Sequence, residues 1–225
     1  GDHSTSIIAD AFAKGFEFDI EKAYKYMRKN AFKTPDLEDY KDGKGRRALE
    51  SYIELGYIPI EDDVPYAFHN NEQVSRTLEY AYNDWCVAQV AKKLEKTDDY
   101  NELDARALNY TNVFDETKGW VCGRYSDGTF TDEFDENEDM FYLTEGTPKH
   151  YTWYVPHDVK GLMDLMGGKE IFKQKLITLI DNNEYWHGNE PSHQIPFFFN
   201  YVNRWDKTQE TVKNLLRTEY DLGPG

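Results

Sequence analysis

"SRTLEYAYNDWCVAQVAKKLEK", residues 75–96, decides the fold class. Leu78, Ala81, Tyr82, Trp85 and Ala88 recur every three or four positions, so they share one face of a helix. The same period returns on both sides. "IEKAYKYMRKNA", 20–31, aligns Ile20, Ala23, Tyr24, Met27 and Ala31, with Asp19 placed to cap the helix. Residues 46–55 read as a short helix stopped by Gly56. "DYNELDARALNYTNVF" continues as another helix after an acidic turn at Asp98 and Asp99. "DVKGLMDLMGG" ends at a glycine pair, "KEIFKQKLITLID" keeps Phe172, Leu176, Leu179 and Ile180 in register, and "KTQETVKNLLRTEY" does so with Val212, Leu215 and Leu216. Strand signal is confined to "WVCGRYSDGTFTDEF", 120–134, which predicts a hairpin turning at Asp127–Gly128. Helical hairpins recur without a fixed sequence repeat, which favours an all-α toroid or solenoid over a small bundle.

Composition narrows the partners. The net charge is −16, so a phosphate backbone or an anionic membrane surface would be repelled. No apolar run approaches the roughly 18 residues of a membrane span. Aromatics reach 16 %, enough to build a core and still line a surface that stacks on sugar faces. Long loops at 33–45, 57–74 and 115–157 carry most of the unusual residues and are rich in aromatics, which reads as functional rather than disordered. Cys86 and Cys122 could pair, but two cysteines define no disulfide framework. Neither "GDHSTSIIADAFAKG" nor "YDLGPG" has the character of a natural terminus, so both ends are expected to continue into a longer protein.

Five stretches carry chemistry. "HGNEPSHQ", 187–194, sets Asn189 beside Glu190, two oxygen donors that suit a hard cation such as calcium; the same residues could instead start a helix at Pro191. His187 and His193 lie six apart, poor spacing for two ligands on one helix face. "TEGTPKHYTWYVPHD", 144–158, puts Glu145 on a bend with Lys149 and His150 nearby, either an acid beside a substrate or a solvated loop with a local ion pair. "GDHST" offers Asp2 and His3 as ligands or as a cap. "GRRALESYIELGYIP" offers Arg46 or Arg47 for a hydroxyl or an anion, and "EYAYNDWC" offers Tyr82 and Trp85 as core or as a platform.

In order along the chain, "GDHSTSIIADAFAKG", "GRRALESYIELGYIP", "VSRTLEYAYNDWCVAQVAKKL", "LNYTNVFDETKGWVCGR", "TEGTPKHYTWYVPHDVKGLMDLMGG" and "HGNEPSHQIPFFFNYVNRWDKTQETVKNLL" resemble glycoside hydrolase family 92, the calcium-dependent exo-acting α-mannosidases. The resemblance implies that residues 1–225 are part of an (α/α)6 catalytic barrel, all-α with long functional loops and a small β-hairpin. The family's N-terminal β-sandwich domain and the end of the barrel are expected outside this chain, which should need the rest of its polypeptide for activity. It further implies an inverting mechanism in which Glu145 is the general acid and the general base lies in an acidic stretch beyond Gly225. Such carboxylates stand roughly 6.5–9.5 Å apart. By the same resemblance, Ca2+ would be held at Asn189 and Glu190, and Asp2, His3, Arg46, Trp85, Cys86, Thr147, Lys149, His150 and His187 would face substrate. The substrate would be a mannose-containing glycan, met in a secreted or periplasmic setting.

The chain departs from the family where the leaving group would sit. After Glu145–Gly146 the usual Asn-x-Trp-Gln is replaced by Thr147–Pro148–Lys149–His150, exchanging a stacking ring for a cation. Such a subsite would prefer negative charge, which makes mannose-1-phospho-6-mannose an alternative substrate. The second histidine of "HGNEPSHH" is also exchanged, for Gln194. A third reading, from a different class, is a non-catalytic mannoside-binding relative.

Overall fold

A computed structural model describes residues 2–62, 64–66 and 70–221, so part of the aromatic loop at 57–74 lies outside the described residues. Two compact units emerge, and the chain passes between them more than once. The first comprises 1–113, 122–134 and 141–144, and the second 114–121, 135–140 and 145–225.

In the first unit, α5 (Gln73–Lys93) is the central element, with α1 (Ser4–Ala13), α2 (Ile20–Phe32) and α6 (Thr97–Arg106) packed on it. Tyr24, Met27 and Ala31 of α2 meet Val87, Ala88, Val90 and Ala91 of α5 and Leu103 of α6. Asp19 caps α2 as its sequence predicts, accepting from the Lys22 amide at 3.0 Å. The Gly56 stop is also found: α4 (Leu49–Leu55) ends there in the left-handed conformation, φ 76°. α5 begins two residues before the predicted Ser75. Its first amides are satisfied by backbone, Glu72 by the Phe141 carbonyl and Val74 by that of Tyr142. Tyr82 and Trp85 are half-buried and stack on one another with ring centroids 6.3 Å apart. Asp98 and Asp99 belong to the first turn of α6 rather than to the preceding turn. The loop at 33–45 contains the short helix α3 (Leu37–Lys41), capped by Asp36, which periodicity is too brief to reveal.

The second unit is organised around rings. Trp153 is fully buried, edge-on to Trp120 and to Phe172 of α9 (Lys169–Asp181), and Phe172 meets Phe198 in the 3-10 segment Ile195–Val202. α8 (Val159–Leu165) packs on α9, while α10 (Trp205–Thr218) packs on the 3-10 segment. The hairpin is corrected in place. Trp120–Val121 (β2) pairs antiparallel with Phe114–Asp115 (β1), across a turn that closes at Gly119 with φ 71°. The turn at Asp127–Gly128, in the first unit, is present but carries only the single bridge between Arg124 and Phe130. Another short helix, α7 (Pro148–Tyr151), lies in what periodicity leaves as the loop 115–157.

Candidate active site

The candidate residues form two groups, one in each unit. In the second unit, Glu145 has φ 51°, a left-handed backbone that a side chain adopts at a cost. Its carboxylate is exposed, and its carbonyl accepts from the Asn189 side-chain amide at 3.2 Å. Gly146 follows in a tight place, where an added Cβ would stand 3.1 Å from the Tyr151 ring. The chain then enters α7 through a capping box. Thr147 accepts from the His150 amide at 3.3 Å, His150 Nδ1 accepts from the Thr147 amide at 3.4 Å, and Pro148 takes the first helical position. The departure from the family's sequence is therefore a helix start, and it holds the bend that carries Glu145.

Lys149 does not wait for a ligand. Its ammonium is 3.1 Å from Glu184 and 3.4 Å from Glu136, and it donates to Asn137 Oδ1 at 2.7 Å. Two carboxylates already match its one charge, which removes the physical basis for an anion-preferring subsite at this residue. His150 is similarly occupied, with Nε2 at 3.0 Å from the Glu184 carbonyl. Thr147 is buried in the cap.

The Asn-Glu-Pro-Ser segment opens the 3-10 turn Glu190–Ser192, yet Asn189 makes no side-chain cap bond to it. The amide nitrogen reaches back to the Glu145 carbonyl instead. Glu190 is exposed. Both donors are hard oxygens, which fits calcium, but about six to eight are needed. Among the described residues no group of three or more His, Cys, Asp or Glu could hold a metal, so this pair can be only part of a coordination shell. His187 lies between Tyr185 and Tyr220, each hydroxyl 2.7 Å from a ring nitrogen, and stacks on His193 at 4.3 Å. Burial, with His193 alongside, lowers its pKa, and Glu219 pulls the other way. A neutral imidazole is favoured. His187, Tyr185 and the exposed Trp186 border a cleft of ≈ 680 Å³ between α9 and α10.

In the first unit the candidates turn inward. Asp2 and Arg46 are fully buried and paired, Nε to Oδ2 at 2.8 Å. Arg46 also donates to Asp84 at 2.5 Å, and Asp84 accepts from Arg106 at 2.8 Å and from the Tyr52 hydroxyl at 3.2 Å. The Arg46 NH2 group is 2.8 Å from Asp2 but lies out of line for a hydrogen bond, so the contact is ionic. Burial works against the charge on Arg46, and Asp84 and Asp2 more than offset it, raising its pKa. Asp2 accepts from Thr5 and Asn30 as well. Asp2 and Arg46, expected to face substrate, are buried here and pair with protein groups, with Arg46 NH2 alone of their polar atoms making no hydrogen bond. Cys86, expected to face substrate, has a buried thiol, and that burial pushes its pKa up to about 12. Cys86 and Cys122 form no disulfide. His3 alone of this group is well exposed, 3.2 Å from Glu79.

Asp84, Arg106, Glu136 and Glu184 escape sequence reasoning. For Asp84 a signal exists, since a charge within a helix apolar on several sides demands a buried partner.

Comparison with known proteins decides the family. The model of the glycosyl hydrolase family 92 catalytic domain matches residues 1–225. The chain belongs to glycosyl hydrolase family 92. An uncharacterized secreted glycosidase of Arthroderma benhamiae is 32 % identical over 231 residues, covering 91 % of this chain and 29 % of that protein. Among solved structures, the family GH92 α-mannosidase BT3965 of Bacteroides thetaiotaomicron is 36 % identical, with a TM-score of 0.82 over 96 % of this chain and 27 % of its own. The inverting mannosidase BT2199 of the same organism is 30 % identical, with a TM-score of 0.86 over 98 % of this chain and 32 % of its own. BT3965 has also been solved with mannoimidazole. The family 92 chain thus spans about a third of the relatives it matches, and its helices are part of their (α/α)6 fold.

Proposed function

We propose that this family 92 chain is part of the catalytic domain of a secreted, exo-acting, calcium-dependent inverting α-mannosidase that releases mannose from glycans. One observation carries the reading: Glu145 is held in a left-handed conformation, its carboxylate exposed and its carbonyl tied to Asn189. Sparsely populated conformations persist where the surroundings enforce them, and they cluster at functional sites. Glu145 then protonates the leaving oxygen. His187, both ring nitrogens held by tyrosine hydroxyls, borders the cleft as a fixed wall. Asn189 and Glu190 supply part of the calcium shell. Calcium, when bound, orients the sugar hydroxyls as a template. The similarity to solved mannosidases supports the substrate class, and the secreted relative supports export.

The reading does not extend to phosphate-linked mannose, because Lys149 is already matched by Glu136 and Glu184. Two assays of the full-length protein test it. The first sugar released should be β-mannose by NMR, and activity lost to a chelator should return with calcium and not with zinc. Release of α-mannose would overturn inversion. Lys149→Ala should lose no more on mannose-1-phospho-6-mannose than on mannobiose; a loss confined to the phosphate-linked substrate would restore the phosphate reading.

A further inference from the structure

Glu184 lies outside every motif so far discussed, and it is the residue on which two functional segments meet. The end of α9 fixes its place. Asn183 takes the left-handed conformation, φ 58°, the Asn183 amide donates to Ile180 O at 3.1 Å, and the Glu184 amide donates to Leu179 O at 3.0 Å. This is a Schellman closure, which ends a helix in one defined geometry. From that fixed point Glu184 holds two successive residues of the acid turn. Its carboxylate takes the Lys149 ammonium at 3.1 Å, and its carbonyl takes His150 Nε2 at 3.0 Å. Five residues on, Asn189 reaches the Glu145 carbonyl. Residues 145–150 and 184–189 are thus joined at three points, and Lys149 is mostly shielded from water at 12 % side-chain exposure.

We propose that Glu184 is a positioning residue for Glu145: by anchoring Lys149 and His150 it fixes the turn that aims the acid. This rests on Glu145 being the general acid. A displaced acid loses proton transfer to a poor leaving group, while a substrate that departs without protonation is unaffected. Misplacement by about 1 Å can cost roughly 100-fold.

The test uses the full-length protein, with Glu184→Ala and Lys149→Met assayed on mannobiose and on an activated aryl mannoside, and with melting temperatures recorded. Each variant should slow mannobiose hydrolysis about 10–100-fold and the aryl mannoside by no more than about threefold. The double variant should be no worse than the poorer single one, because both break one ion pair. Equal losses on the two substrates would make Glu184 a purely structural residue, and so would intact mannobiose activity in both variants. Glu145→Gln is run beside them. If it shows the selective loss and Glu184→Ala does not, only the positioning role falls. If Glu145→Gln shows none, the acid assignment falls with it.

Discussion

The Asn189 side chain donates to the carbonyl of Glu145 at 3.2 Å, so a proposed calcium ligand also braces the proposed acid. The amide nitrogen braces Glu145, and the proposed calcium role falls to the amide oxygen. Asn189→Asp keeps an oxygen ligand but sets a carboxylate against the Glu145 carbonyl. Asn189→Ala removes both functions. By calorimetric titration, the Asp variant should retain calcium binding and lose activity, and the Ala variant should lose both. Unchanged calcium affinity in Asn189→Ala would leave the residue as a brace alone.

The network around Asp84 is expected to dominate stability in the first unit. Its carboxylate serves Arg46, Arg106 and Tyr52 with no exposure to water. Removing one partner of a buried pair leaves the other charge uncompensated, at about 3–5 kcal/mol. Asp84→Ala should therefore shift urea unfolding by that amount, whereas His3→Ala, at an exposed contact, should change it by less than about 0.5 kcal/mol. A mild Asp84→Ala phenotype would mean that solvent reaches the network.

The helices were legible because long apolar periods survive in a single sequence, as α2, α5, α9 and α10 show. What periodicity misses is set by local geometry or by distance along the chain. α3 and α7 last barely a turn, and only their caps, Asp36 and Thr147, mark them. The β1–β2 pair rests on two residues per strand, too few to alternate visibly. At the candidate site, Glu145, Asn189 and Glu190 were reached through motifs. The partners of Lys149 were not, since Glu136 and Glu184 are exposed-looking acids 13 and 35 residues away in an acidic chain. The cation that suggests an anion subsite on paper is neutralised in three dimensions. Likewise Arg46 and Asp2 look like ligands until Asp84, 38 residues beyond Arg46, closes over them.

Cys86 offers a test by pH. Burial raises its thiol from an ordinary 9.0 to about 12, with Tyr82's hydrogen bond pulling down. Between those values the unfolded chain has given up the proton and the folded chain has kept it, so the unfolded state binds fewer protons and stability falls as pH rises. Below pH 9 this group contributes no slope. A thiol reagent at pH 8 should leave Cys86 unmodified in the native protein and label it on unfolding, read by mass spectrometry. Rapid native labelling would place the thiol in solvent.

Glu145 should separate stability from activity. A left-handed residue with a side chain costs roughly 1–2 kcal/mol, and glycine is free of that cost. Glycine also loosens the unfolded chain, which gives back about 0.4–1 kcal/mol. Glu145→Gly should therefore be more stable than Glu145→Ala by about 0.5–1 kcal/mol in urea unfolding of the full-length protein. Both variants lack a proton donor, so both should slow mannobiose hydrolysis by about 10²–10⁴-fold. An activated aryl mannoside should lose less in each, because its leaving group departs without help. The Gly variant would thus be the stabler enzyme of the two and no more active. If Ala and Gly unfold together, φ 51° at this position carries no strain and the conformational support for the site is gone. If either variant keeps its rate on mannobiose, the proton comes from another group, and the exposed carboxylate at 145 is only a surface charge on a well-capped turn.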